Sequence, residues 1–257
     1  MRSSVIKKGT WLASFMLAVC LCAHAEVKLP AIFSDGMVMQ QQTKANLWGT
    51  ATPNKKITVT TGWNGKQYVA TADKNGAWKL SVSTPEAGGP YSITFNDGSK
   101  KTLNNILIGE LWLCSGQSNM EMPMKGFKNQ PVENANMDIL RSKNPNIRLF
   151  TVKRTSTFTP QTDVAGTWKE ATPANVRDFS ATAYYFGRLI NEILDVPVGL
   201  VVAAWGGSAC EAWMTADWLK AFPDAKIPQS EADIKSKNRT PTVLYNGCLL
   251  YTSEAAD

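Results

Sequence analysis

Two hydrophobic patterns follow one another along this chain, and the change between them limits the fold more than any single residue does. From Asn46 to roughly Ile106 the apolar residues alternate in short runs, Ile57/Val59, Trp78/Leu80/Val82 and Tyr91/Ile93/Phe95, with the period of two that a half-buried strand requires. Asn64-Gly65, Asn75-Gly76 and Asp97-Gly98 punctuate these runs and supply the positive-φ pairs that two-residue hairpins demand. The expected product is a small antiparallel β-sandwich with Trp78 in its core. Past that point Leu111-Trp112-Leu113-Cys114 and Val198 to Ala204 are unbroken apolar stretches, as in strands covered on both faces. Between them Ala183, Phe186, Gly187, Ile190 and Leu194 fall at helical spacing, Ser180 can cap the start and Pro197 forbids continuation. Val132, Ala135 and Ile139 predict another helix, followed by a strand at Ile147 to Val152. Such alternation implies a parallel sheet flanked by helices, the α/β architecture that binds ligands at the carboxyl ends of its strands.

The N-terminus reads as an export signal. Arg2, Lys7 and Lys8 precede an apolar run from Trp11 to Cys22, closed by Ala23-His24-Ala25. The run is too short to span a bilayer, and small residues stand at the minus-three and minus-one positions of a cleavage after Ala25. A lipid anchor on Cys20 is the weaker reading, because Val19 stands where a small residue is wanted. No later stretch forms a membrane span. The expected organisation is a signal peptide at 1–25, a β-sandwich at 26–105 and an α/β domain at 106–257, and the length suffices for a sizeable core. Cleavage would remove three basic and no acidic residues and halve the formal net charge of +6. No Lys/Arg cluster alternates with aromatics in the remainder, which argues against a nucleic-acid partner. Of five cysteines, Cys114, Cys210 and Cys248 follow the signal. Their spacing fits no zinc site, and their apolar surroundings point to buried thiols, with one disulfide pair left open.

Chemistry is expected where an apolar strand gives way to a tight turn, and the first such place is Cys114-Ser115-Gly116-Gln117-Ser118-Asn119-Met120. Gly116 permits the turn, the strand end holds the Ser118 hydroxyl at the mouth of the sheet, and following backbone N–H groups can face a developing oxyanion. The motif lacks the second glycine of the Gly-x-Ser-x-Gly elbow, which disfavours a general serine lipase or protease.

The longer string from Gly109 through Glu121 (Gly-Glu-Leu-Trp-Leu-Cys-Ser-Gly-Gln-Ser-Asn-Met-Glu) resembles the nucleophile block of the sialate O-acetylesterases, a branch of the SGNH (GDSL-like) hydrolases. Phe33 to Gln40, Phe179 to Gly187 with Val196 to Leu200, and Trp205-Gly206-Gly207-Ser208 leading to Glu211-Ala212-Trp213 resemble the same family in the same order. The resemblance implies a β-sandwich ahead of an SGNH-type α/β domain (flavodoxin-like, three-layer), no cofactor and no metal, and an O-acetylated sugar or glycan as substrate. Ser118 would attack the acetyl carbonyl and contribute its own N–H to the oxyanion hole. Gly206 or Gly207 would give the second donor, since a residue without Cβ lets the backbone approach; the choice between them is open, as is a plain strand-to-helix turn. Asn119 is either a cap residue or a brace for the nucleophile loop. Trp213 either lines the sugar site or packs in the core, and Asn246, in Tyr245-Asn246-Gly247, is a further substrate-site candidate or a simple turn. Trp63 is a candidate glycan contact or a cross-strand packing residue.

The departure from the family matters as much as the match. The family continues with a strand carrying Gly-Glu-Ser-Asn and then an Asp-x-x-His segment that supplies the general base, and neither occurs here. The one histidine, His24, lies in the signal. Serine without an adjacent base is a poor nucleophile. The expectation is therefore an N-terminal fragment of an esterase, close to inactive, its sheet left with an unpaired edge and uncovered apolar surface. The alternative is a non-catalytic glycan-binding protein that keeps the esterase fold. Metal-dependent deacetylation lacks the histidine ligands it usually needs.

Overall fold

The computed structural model describes residues 26–249; the expected signal peptide and the last eight residues lie outside the described region. Ten strands form. The sandwich strands are β1 (Val38–Gln40), β2 (Lys44–Thr50), β3 (Lys56–Thr61), β4 (Gln67–Thr71), β5 (Ala77–Ser83) and β6 (Gly88–Asn96), and β7 (Lys100–Gly116) runs on from them. Then come β8 (Asn144–Thr151), β9 (Trp168–Ala171) and β10 (Val198–Ala204). The α-helices of the described residues are α1 (Ser118–Glu121), α2 (Ala135–Leu140), α3 (Pro173–Val176) and α4 (Ala181–Leu194) between strands, and α5 (Ala216–Leu219) after β10.

The alternating residues of the first pattern behave as expected. Ile57 and Val59 from β3, Ile93 and Phe95 from β6, and Trp78 and Val82 from β5 meet in one buried cluster. β3 pairs with β4 and β6, β6 pairs with β7, and β2 pairs with β5 as a separate two-stranded layer, all antiparallel. The turns are longer than the dipeptides predicted. Residues 62–66 join β3 to β4, and residues 97–99 join β6 to β7. Asn75-Gly76 makes no hairpin, because β4 and β5 belong to different layers. Its glycine, at φ +85°, is needed for close approach: a Cβ there would stand 2.4 Å from the Ala51 carbonyl oxygen. Trp63 is half-buried, packs edge-on against Tyr91 and donates its indole N–H to the Ser83 carbonyl at 3.1 Å.

β7 is the joint of the molecule. Its first half pairs with β6, and its second half, from Glu110 to Gly116, pairs in parallel with β10, which pairs in parallel with β8. The junction expected between residues 105 and 106 falls inside this one strand. β9 adds an antiparallel edge beyond β8, so the sheet is mixed. The unbroken apolar run of β10 is explained by two covered faces. Val198, Leu200 and Val202 join Ala183, Tyr184 and Phe179 in one cluster, whereas Val201 and Ala203 join Leu111, Phe150 and Trp168 in the cluster that continues into the sandwich. α4 is capped as expected, Ser180 accepting from the Ala183 N–H at 3.1 Å, and it lies tightly on β10. A Cβ on Gly187 would stand 2.5 Å from Leu200 Cδ1. Among the described residues no helix is long and apolar enough to cross a membrane.

Candidate active site

β7 and β10 end side by side, Gly116 paired with Ala204. Gly116, at φ +156°, turns the chain sharply; a Cβ there would press on Met120 Cβ at 3.1 Å. Ser118 opens α1 immediately after the turn and is exposed. Across from it the residues leaving β10, Trp205-Gly206-Gly207, are held by the Trp205 N–H donating to the Gly116 carbonyl at 3.1 Å. A Cβ added to Gly206 would stand 3.7 Å from Ser118 Cα and 2.7 Å from Glu121 Oε2. Ser118 and Gly206 are therefore neighbours, brought together by strands that lie adjacent only because β10 returns parallel to β7.

The two glycines differ. The Gly206 N–H donates to Glu121 Oε2, and its carbonyl accepts from Asn238 Nδ2 at 2.9 Å. Gly207 sits at φ +70°, a left-handed conformation that favours glycine, and its carbonyl accepts from Arg239 Nη1 at 3.3 Å. Asn119 is exposed, and its carbonyl accepts from the Thr182 hydroxyl at 2.9 Å, tying α1 to the start of α4.

Trp213 and Asn246 are each held by a hydrogen bond to a neighbouring loop. Trp213 is half-buried in a 3-10 turn, Cys210–Trp213, and donates its indole N–H to Ser208 Oγ at 2.9 Å. Asn246 donates through Nδ2 to the Phe158 carbonyl at 2.8 Å and accepts from the Gln161 N–H at 2.9 Å, so it ties down a loop. Neither lines the cavity at Glu121, and Ser118 and the two glycines are not among its lining residues either.

That cavity, of about 500 Å³, opens at the carboxyl ends of β8 and β10 and is lined by Glu121, Lys125, Lys128, Thr151, Arg154 and Ala204 among others. Glu121 is its hub. One carboxylate oxygen accepts from Gly206, and the other pairs with Arg154. The Arg154 guanidinium lies 5.6 Å from the Trp205 ring centroid. Lys125 is paired with Asp178 at 2.5 Å, and this hydrogen bond holds the Asp178 carboxyl below its usual pKa. Sequence reasoning gave Glu121 and Arg154 no role, although Glu121 stands one helical turn beyond the nucleophile and Arg154 follows β8 at the ligand-binding edge of the sheet. Two larger cavities, of about 570 Å³ beside Trp78 and about 750 Å³ beside Cys210 and Phe222, share no lining residue with this one.

The cysteines depart in part from expectation. Cys114 and Cys248 are buried, and burial pushes the Cys114 thiol up to about 11. Cys210 is exposed, because it opens a surface turn rather than entering a strand. Cys114 and Cys210 are free thiols. Among the described residues no group of three or more His, Cys, Asp or Glu side chains is placed to hold a metal ion.

The family model of carbohydrate esterases described as sialic acid-specific acetylesterase matches residues 108–245, which include the nucleophile turn, both glycines and the whole cavity. This chain belongs to that family. Among curated relatives of this esterase family, sialate O-acetylesterases from Pongo abelii and Homo sapiens are each 27% identical over 86% of the chain. That from Rattus norvegicus is 29% identical over 83%. A crystal structure of a carbohydrate acetylesterase from Xanthomonas citri is 34% identical and superposes with a TM-score of 0.75, covering 86% of this chain and 47% of that one. The mixed α/β architecture is thus that of a known carbohydrate acetylesterase. The chain spans less than half the length of these curated relatives, 45% for the human protein.

Proposed function

We propose that this chain carries the nucleophile-bearing part of a carbohydrate O-acetylesterase, with Ser118 as the nucleophile and an O-acetylated sugar as substrate. The observation that supports this most directly is the placement of an exposed serine hydroxyl at the carboxyl end of β7 beside the Gly206 backbone, within a turn that belongs to an esterase family. In the reaction Ser118 Oγ bonds to the acetyl carbonyl carbon and gives up its proton, the bond to the sugar oxygen breaks, and the sugar leaves as an alcohol. Water then releases acetate and restores the serine. Amides aimed at the carbonyl oxygen stabilise the charge that develops there. The Ser118 N–H is one donor. Gly207 is the better second donor, because the Gly206 N–H is already held by Glu121. Asn119 braces the nucleophile turn. We place the sandwich at 26–105, the hydrolase domain at 106–257, and the protein outside the cell after cleavage behind Ala25.

Residues 26–257 contain no histidine. In this reading the general base lies outside these residues, and the 257-residue chain turns over slowly, about 10⁴-fold to 10⁶-fold below a complete site. Acetate release from an O-acetylated sugar, measured for the chain and for Ser118→Ala, tests this. The expected result is a slow release that Ser118→Ala removes. A fast release indifferent to Ser118→Ala overturns it. The absent imidazole also favours a second reading, a glycan-binding protein that has lost catalysis; sugar binding without acetate release, unchanged in Ser118→Ala, selects it.

A further inference from the structure

Gly206 is held on both sides. Its N–H donates to Glu121 Oε2, and its carbonyl accepts from Asn238 Nδ2 at 2.9 Å. In a trans peptide the carbonyl and the N–H that follows it point in opposite directions, so Asn238 turns the Gly207 N–H away from its own amide. That N–H donates to no acceptor among the described residues. The Ser118 N–H, first in α1, has no partner within its helix either. Two backbone donors are thus left for a ligand oxygen, and one of them is aimed by the grip on Gly206. Glu121 is the charged member of that grip. A bare carboxylate so near Ser118 would repel the negative charge that develops on the acetyl oxygen during attack. Arg154 pairs with the other carboxylate oxygen, and its guanidinium lies 5.6 Å from the ring centroid of Trp205, the residue before Gly206. An ion pair with one partner half-exposed adds little to stability, so its effect is to be sought in what it holds.

We infer that Glu121 is a positioning residue for the oxyanion site: it fixes the Gly206 backbone so that the Gly207 N–H is presented beside Ser118, and Arg154 neutralises it so that the site still accepts an anion. The inference rests on the esterase reading above and deepens it by naming the side chains that set the second donor. Glu121 suits the task by its place in the chain. It closes the helix that Ser118 opens, so the nucleophile and the carboxylate that orients its partner turn move as one piece. Arg154 approaches from the end of β8 and Asn238 from the loop beyond α5. Three separate segments therefore converge on one glycine, which a plain strand-to-helix turn does not require.

The test is acetylation of Ser118 in the 257-residue chain by p-nitrophenyl acetate in mildly alkaline buffer, read by peptide mass spectrometry. Ser118 Oγ bonds to the acetyl carbon, hydroxide takes the hydroxyl proton, and p-nitrophenolate leaves with the bonding electrons, so no imidazole is needed. Exposed Lys100 reacts with the same reagent and serves as the internal reference. Relative to it, Ser118 is expected to react faster in the folded chain than in urea. Glu121→Ala should slow Ser118 about 10²-fold, the usual loss for a displaced oxyanion donor. Glu121→Gln, whose amide oxygen can still accept from Gly206, should stay within about tenfold of the parent. Arg154→Gln leaves the carboxylate bare and should slow Ser118 about tenfold. Adding Glu121→Gln to Arg154→Gln should recover most of that loss, a reversal that a purely structural ion pair does not produce. Near-ultraviolet circular dichroism of each variant confirms the fold. A parent-like rate in Glu121→Ala, or a double variant no faster than Arg154→Gln alone, overturns the inference while the esterase reading stands. If Ser118 reacts no faster in the folded chain than in urea, the esterase reading fails and the inference with it.

Discussion

Arg148 shows how much one side chain can carry. It is 4% exposed, yet every arm of its guanidinium has a polar partner: Nε donates to the Pro145 carbonyl at 2.7 Å, Nη1 to the Gly36 carbonyl at 3.2 Å and Nη2 to Asn105 Oδ1 at 3.0 Å, with Glu170 at 3.5 Å. Burial pulls its pKa down and Glu170 opposes that pull. These partners come from the loop before β1, from β7 and from both strands of the β8–β9 pair, so the guanidinium joins the sandwich to the α/β sheet. Arg148→Met keeps the length and removes the donors, leaving acceptors without partners. The expected loss is about 2–4 kcal/mol, read from urea denaturation midpoints at unchanged slope. Nothing in the sequence marks this arginine, because it interrupts an apolar strand pattern in the way an exposed charge would. Glu121 and Arg154 were hidden for a similar reason: their meaning lies in partners 85 residues and roughly a strand and a helix away, which periodicity does not reach.

At the scale of elements, the legible features were those set by local periodicity. β10 has the bounds expected, Val198–Ala204, and α4 begins at its predicted cap and ends three residues before Pro197. Less legible was what covers each face. The apolar run of β10 announces two covered faces, but whether the second cover is a helix or the sandwich depends on tertiary pairing alone. The link between α2 and α4 was equally invisible: Asp138 of α2 accepts from the Tyr185 hydroxyl at 2.7 Å and from Arg188 at 2.8 Å, both on α4. The Arg188 hydrogen bond, with that of Tyr185, holds the Asp138 carboxyl below its ordinary pKa, while burial and the Asp138 hydrogen bond push the Tyr185 hydroxyl up to about 12. A carboxyl depressed in the folded state contributes stability that is full above its unfolded pKa, about 3.9, and is lost as pH falls through the folded value. Asp138→Asn is therefore expected to lower the melting temperature at pH 7 and to flatten its decline below about pH 4. A decline as steep as in the parent chain would show that Asp138 is not the titrating group.

For the molecule as a whole, one region of surface stands out. From Glu110 onward β7 has β10 on one side and, among the described residues, no strand on the other. Trp112 projects there against Phe186 of α4, ring centroids 4.9 Å apart, and Leu189, Ile193 and Leu194 of the same helix are exposed. Apolar side chains gathered beside an open strand edge favour association. Sedimentation velocity on the 257-residue chain should show a weight-average mass that rises with concentration, and the double variant Leu189→Lys, Ile193→Lys should hold it at the monomer value. A concentration-independent monomer in the parent chain would remove the idea. The 17 residues of β7 also restrict how this protein can be taken apart. A recombinant hydrolase half begun at residue 106 would cut through β7, part Ile106 and Ile108 from their partners Tyr91 and Gly88 in β6, and hold the nucleophile on a strand anchored at one end only. Gene fusions and domain swaps within the family will therefore succeed at the turn of residues 97–99, where the backbone already reverses, and not at the place where the hydrophobic pattern changes.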